Sequence, residues 1–186
     1  MNKCRMRLAT TDDLPTIEHI IRGAIERLAH AGIDQWQRGY PNGESIARDI
    51  ALGYGRVVES EGEIVAYGAL VYDGEPAYDA LQGGVWLTEG GYATIHRLCT
   101  SQGATGRGYG RTFMTLAERE ASRRVGSIRV DTHPHNQIMQ GLIGSLGYTL
   151  CGTVMYESPR IAYEKVLSQK RLPSLGAVFV RLKMEN

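Results

Sequence analysis

The segment RLCTSQGATGRGYGRTFMTLAEREA, positions 97–121, narrows the possible folds more than any other part of the chain. Four glycines fall between positions 103 and 110, and a helical pattern begins at once. Tyr109, Phe113, Leu116, Ala117 and Ala121 recur at three- and four-residue steps, with Glu118, Arg119 and Arg123 on the other side. The spacing predicts a helix over 109–125. Before the loop, YATIHRLCT (92–100) alternates as a strand does. A strand, a glycine turn and a helix in direct succession require a helix packed on a sheet. They also aim the helix's unpaired first-turn N–H groups at one point in space, an arrangement that suits phosphate.

The remaining elements extend that unit. Residues 3–8 read as a first strand. Leu14, Ile17, Ile21, Ala24 and Leu28 make a helical stripe, with Pro15 in the first turn and Gly32 closing it. The aromatic and amide-rich loop 34–45 leads to a second helix near 44–53. GRVVESEGEIVAYGALVYD reads as two strands joined at Glu61-Gly62. The Gly-, Pro- and acid-rich stretch 73–91 has no legible element. SIRVDTH (127–133) is a strand, Ile138, Met139, Leu142, Ile143 and Leu146 a further helical stripe, and YTLCGTVMY with RIAYEKVL a closing hairpin. The order predicts one α/β (α+β) domain over 1–167, a mixed sheet of about seven strands with helices on both faces. Residues 168–186 are expected to be a C-terminal extension, an added strand or a contact segment.

Composition removes several functions. Lys plus Arg number 21 and Asp plus Glu 20, a net charge of +1, without the basic stripe of a nucleic-acid binder. Cys4, Cys99 and Cys151 are distant and never in a CxxC pair, which argues against a disulfide framework or zinc knuckle and for reduced thiols. The N-terminus lacks the apolar core of a signal peptide, and no run of residues is apolar enough to span a bilayer. A cytoplasmic protein, with no nucleic-acid or membrane partner and no metal, is expected. His133 and His135 lack a carboxylate or cysteine cluster beside them and read as loop residues.

Three phosphate-binding loops compete for the glycines. A P-loop frame does not fit, because Gly110 is followed by Arg111-Thr112. A dinucleotide fingerprint would use Gly106, Gly108 and the strand-ending Asp131, but places Arg111 where the third glycine belongs. In the third arrangement the N–H groups of 106–111 face a pyrophosphate, with Arg107 and Arg111 adding charge. HRLCTSQGATGRGYGRTFM and DTHPHNQIMQGLIGSLGYTLCG together resemble the two cofactor segments of the GNAT superfamily of acetyl-CoA-dependent N-acetyltransferases. One position departs: Thr105 stands where that signature has Arg or Gln.

The resemblance implies a sheet splayed between strands 92–100 and 127–133, with coenzyme A in the gap. Its pantetheine arm would lie along Leu98, Cys99 and Thr100, and its pyrophosphate against Thr105, Gly106, Arg107, Gly108, Tyr109, Gly110 and Arg111. Asn136 matches the position that contacts the arm, and it also suits a helix N-cap. The reaction implied is attack of an amine on the thioester, with the N–H of Leu98 or Cys99 meeting the oxyanion. His96 matches a position that carries a base in some members, and a hydrogen-bonded structural histidine is the competing reading. Alternation puts Tyr92, Thr94 and His96 on one face. The tyrosine that serves many members as acid is replaced by Ile143. Trp36, Gln37 and Tyr40, with Tyr92, are candidates for the acceptor pocket, although Trp36 also suits a plug between helices. The expected function is acetyl transfer to the primary amine of a small or amino-acid-like acceptor, by a chain able to form a homodimer. A non-catalytic acyl-CoA-binding module and an NAD(P)-dependent oxidoreductase are the alternatives.

Overall fold

The computed structural model describes residues 4–168. Seven strands form one sheet: β1 (Arg5–Leu8), β2 (Gly55–Ser60), β3 (Glu63–Val71), β4 (Tyr92–Thr100), β5 (Ser127–Thr132), β6 (Thr149–Met155) and β7 (Pro159–Val166). Their order is β1-β2-β3-β4-β5-β7-β6, and every pairing is antiparallel except β4 with β5. The helices are α1 (Leu14–His30), α2 (Gly43–Ala51), α3 (Tyr109–Ala121) and α4 (Gln137–Ser145). The element order read from the sequence is the one observed.

Alternation along the strands feeds two cores. Val58, Ala66 and Leu70 pack with Phe113, Met114 and Ala117 of α3, whereas their neighbours Val57 and Tyr67 pack with Ile17, Ile21 and Ala24 of α1 and Ile46 of α2. Each apolar helix stripe thus covers one face of the sheet, which is how burial stabilises a three-layer domain. The approach of α3 is close enough that a Cβ at Gly68 would lie 2.6 Å from the Phe113 ring. The predicted 109–125 helix ends at Ala121, where Ser122 caps it. Ile138 departs from its expected place: it is 89% exposed, because α4 buries only Ile143 completely and its first turn overhangs a cavity.

The stretch with no legible element covers the face that α1 and α2 leave bare. A short 3₁₀ helix, Pro76–Ala80, brings Tyr78 down onto Val154 and Ala162. Trp86 and Tyr92 enclose the Arg129 guanidinium, which lies 4.1 and 3.8 Å from their ring centres. Arg129 donates to the fully buried Glu164 at 3.1 Å and to the Thr88 carbonyl at 2.8 Å. This buried ion pair pins residues 73–91 without helical or strand periodicity, so no sequence pattern announces it.

Two features open the sheet. Parallel pairing of β4 with β5 stops at Thr94↔Arg129, and beyond it the strands diverge. Between Tyr67 and Ala69 of β3 the register with β4 slips by one residue, and Arg97 takes φ 56° to absorb the extra residue. The slip changes parity. Ile95 and Leu98 share the α3 core, while Cys99 joins the α1 core.

Candidate active site

A cavity of about 910 Å³ occupies the gap between the diverging strands. One of its walls is the glycine loop. Gly106 and Gly108 adopt φ 78° and 82°, a left-handed backbone that favours glycine, and the loop ends as the N-terminus of α3. The N–H groups of Gly106, Gly108, Tyr109, Gly110 and Arg111 make no backbone hydrogen bond among the described residues. A Cβ at Gly106 or Gly108 would meet nothing within 4 Å, so the space before these donors is open. At Gly110 a Cβ would come within 3.3 Å of Leu142, which holds α3 close against α4. Thr105, Gly106, Gly108, Tyr109, Gly110 and Arg111 all line the cavity. Arg107 does not: its guanidinium lies 5.5 Å from the Tyr109 ring centre instead.

Leu98, Cys99 and Thr100 line the floor of the cavity, along the edge that β5 has left. Arg27 of α1 donates to the Thr100 carbonyl at 2.8 Å. Two buried polar atoms on lining residues, Arg27 Nη1 and Thr132 Oγ1, have no partner among the described residues. Buried polar groups are as a rule hydrogen-bonded, so both suit contact with a polar ligand. Asn136 is the helix N-cap expected of it, and it lines the cavity. Its Oδ1 accepts from Met139 N at 3.1 Å as the N-cap of α4, and its amide reaches Gln35 at 3.3 Å on the cavity wall. The open strand edge, the unpaired N–H groups and the orphaned side-chain atoms fit a long, polar, phosphate-bearing group such as coenzyme A. Burial pushes the Cys99 thiol up to about 12, so it is a packed, protonated side chain and no nucleophile.

The other end of the cavity carries the titratable groups. His96 Nε2 lies 3.1 Å from Glu75 Oε2, both side chains largely buried. Glu75 is fixed in turn: its Oε1 accepts from Ala77 N at 3.2 Å, and its own N–H donates to the Tyr92 hydroxyl at 3.1 Å. The hydrogen bond from His96 holds the Glu75 carboxyl below the usual carboxylate range. Asp131 of β5, two residues past the last parallel pair as His96 is on β4, lines the same wall. Its Oδ2 accepts from Tyr78 at 2.8 Å and from Tyr156 at 3.4 Å. Burial raises Asp131 above the ordinary aspartate value. It raises the Tyr156 phenol too, with the Asp131 and Glu75 charges adding to the effect.

Of the acceptor candidates, Trp36, Gln37 and Tyr40 line the cavity. Trp36 also packs, partly buried, against the α1 core, in keeping with its reading as a plug. Tyr40 is hydrogen-bonded to Arg97, whose guanidinium is anchored by the buried Asp49 at 2.5 and 2.8 Å. Tyr92 lies outside the cavity, stacked on Tyr78 with ring centres 6.1 Å apart, and touches the site only through Glu75. Ile143, at the position of the usual acid, is fully buried. Sequence reading missed Glu75, Tyr156 and Arg160. Asp131 entered it only as a possible ribose ligand. Glu75 falls in the stretch without pattern, and nothing short of the packing signals it. The described residues hold no group of three or more metal-ligating side chains.

The model of the acetyltransferase (GNAT) family matches residues 24–148, and the chain belongs to that family. Among solved structures it is similar to a GNAT-family acetyltransferase from Streptococcus agalactiae, 35% identical with a TM-score of 0.85 over 89% of this chain and 96% of that one. A GNAT-family acetyltransferase from Listeria monocytogenes is 20% identical, with a TM-score of 0.71 over 88% and 95%. YncA from Salmonella typhimurium, solved with its cofactor acetyl-CoA, shares the fold at 17% identity and a TM-score of 0.61 over 94% and 99%. No curated protein matches the chain. Membership makes the chain an acyltransferase, in place of the dinucleotide-dependent oxidoreductase given as an alternative.

Proposed function

We propose that this protein, through residues 1–167, transfers the acetyl group of acetyl-CoA to the primary amine of a small acceptor. The reading rests on one observation: His96, hydrogen-bonded to Glu75, shares a cavity with the unpaired N–H groups of the glycine loop. Acetyl-CoA would supply an electrophilic thioester carbonyl. The loop N–H groups at the α3 N-terminus would hold its pyrophosphate, and the β4 edge at Leu98–Thr100 with Asn136 would hold its pantetheine arm.

An ionised carboxylate only accepts hydrogen bonds, so the 3.1 Å contact assigns the proton of neutral His96 to Nε2. Nδ1 then carries the lone pair. The one polar side-chain contact of His96 among the described residues is that of Nε2 with Glu75, so Nδ1 would take the acceptor's proton, directly or through a water. Glu75 stabilises the imidazolium that results, as the carboxylate of a catalytic triad does. The amine nitrogen forms the new C–N bond, the C–S bond breaks, and the amine's proton leaves through His96. With Ile143 in the core, the thiolate takes its proton from solvent, which a leaving group with a pKa of ~8.5 tolerates.

The direct test is release of free thiol from acetyl-CoA in the presence of a panel of primary amines, with acetylated product identified by mass spectrometry. Thiol release with an amine, and its loss in His96→Ala, is the expected result. Tight acetyl-CoA binding with no turnover of any amine or acceptor peptide would replace this reading by that of a non-catalytic binding module.

A further inference from the structure

The charges lining the cavity are unevenly matched. Five arginines reach it, and each makes at least one hydrogen bond, although only Arg38 and Arg97 pair with a carboxylate. Arg27 is bonded to the Thr100 carbonyl, Arg97 to Asp49, and Arg111 to Ser145. Arg38 lies at the rim between Asp34 and Glu157, at 3.5 and 3.9 Å. Arg160 is turned onto Ser158 and the backbone beside it. Two carboxylates remain deeper in, Glu75 and Asp131. Glu75 is satisfied by His96 and Ala77. Asp131 is not. Tyr78 and Tyr156 both bond its Oδ2, its Oδ1 has no hydrogen bond, and it forms no ion pair among the described residues.

Arg160 on the neighbouring strand and His96 act on Asp131 through space, but neither is in contact with it, and a partly buried carboxylate with no cation in contact favours a ligand that brings one. The surroundings favour one kind of cation. The fully buried Tyr78 fixes the carboxylate in place. Tyr156, hydrogen-bonded to the same oxygen, and Tyr40 present aromatic rings to the cavity. Carboxylate and aromatic surface together suit an alkylammonium group, which pairs with one and lies over the other. Arg129 and Asp131 alternate along β5, so both face the α1 side of the sheet, Arg129 beneath Trp86 and Asp131 at the cavity.

We propose that Asp131, with Tyr156 beside it, is the seat of the acceptor's ammonium group. This rests on the acetyl-transfer reading and deepens it by naming the residue that receives the acceptor. An alkylamine of pKa ~10.4 reaches the protein protonated, pairs with Asp131, and is held on the same cavity wall as His96 for removal of the proton.

The test is binding without turnover. Protein saturated with coenzyme A is titrated at pH 7 with pairs of equal shape and different charge: benzylamine and benzyl alcohol, hexylamine and hexanol. Dissociation constants come from calorimetry, and the site from amide shift changes. The cation should bind about tenfold tighter or more in each pair, with shifts centred on β5 and the segment around Tyr156. Asp131→Asn should abolish that preference. Equal binding of the two members, a preference that survives in Asp131→Asn, or no binding of any alkylammonium overturns the proposal. Should Asp131→Asn fail to fold, the wild-type preference and its shift map decide alone. Turnover is not read, so loss of the preference leaves acetyl transfer standing. A cation seat in a protein that transfers nothing would instead remove the proposed function and keep the seat.

Discussion

The two ends of the cavity are built on different principles. The end we assign to coenzyme A comes from one continuous stretch, in which strand, glycine turn and helix N-terminus follow within twenty residues of chain or so. Its groups are backbone N–H donors, and their direction is set by local dihedral angles. The end we assign to the acceptor is assembled from segments far apart in sequence: Tyr40 before α2, Glu75 in the patternless stretch, His96 on β4, Asp131 on β5 and Tyr156 after β6. Its groups are side chains whose positions depend on a buried Arg129–Glu164 pair and on the register slip at Arg97. A backbone site tolerates changes in side chains; a side-chain site depends on the whole fold.

That contrast can be broken by mutation, and the largest effect belongs to the acceptor end. His96→Ala should lower kcat by about 10²–10⁴ while leaving the KM for acetyl-CoA within about twofold, because the base touches only the proton in transit. Equal loss in both parameters would mean that His96 shapes the donor site. Next comes Asp49→Ala, which strands the Arg97 guanidinium and the Tyr67 hydroxyl, now held at 2.6 Å. Breaking such a buried pair costs about 3–5 kcal/mol, read as a drop in denaturation midpoint. In the folded fraction, acceptor affinity should fall before acetyl-CoA affinity does, since Tyr40 hangs on Arg97.

Smaller effects test the donor end. Gly108→Ala puts a Cβ on a residue at φ 82° and should cost about 1–2 kcal/mol, with weaker acetyl-CoA binding and unchanged discrimination among amines. A loss of amine discrimination would show the two ends to be coupled. Far from both ends, the hydrogen bonds of Arg7 hold Asp13 down at about 2. A depressed folded-state value means stability that is complete above the unfolded value of 3.8 and drains away as pH falls through about 2. Asp13→Asn should flatten the acid limb of a stability–pH curve between those values. The smallest effect expected is none at all: Cys99, with its thiol near 12, should resist alkylation at pH 8 in the folded protein and react on unfolding.

Legibility in the sequence followed the range of the interactions. The helix stripes of α1 and α3, the Glu61-Gly62 hairpin and the glycine loop were readable because period and turn chemistry are local properties. Trp36, Gln37, Tyr40, His96, Asn136 and most of the loop were placed at the cavity from sequence pattern and resemblance. Arg107 and Tyr92 were misplaced, each for a reason of packing. Arg107 covers the Tyr109 ring, and Tyr92 is drawn into the Arg129 cluster, where it supports Glu75 from behind. Residues 169–186 of the predicted extension lie outside the described residues, as does Lys3 of the predicted first strand.

By itself the sequence determined the order of elements, the family signature and the glycine loop that walls the cavity, because periodicity, glycine φ angles and helix-end donors act within a few residues of one another. Only the tertiary structure decided that Glu75 meets His96, that Asp131 on the adjoining strand has no ion pair among the described residues, and that Ile143 is core. Those facts depend on where two strands part and which buried charge holds down a segment without pattern. Such long-range geometry leaves no period in the chain to be read.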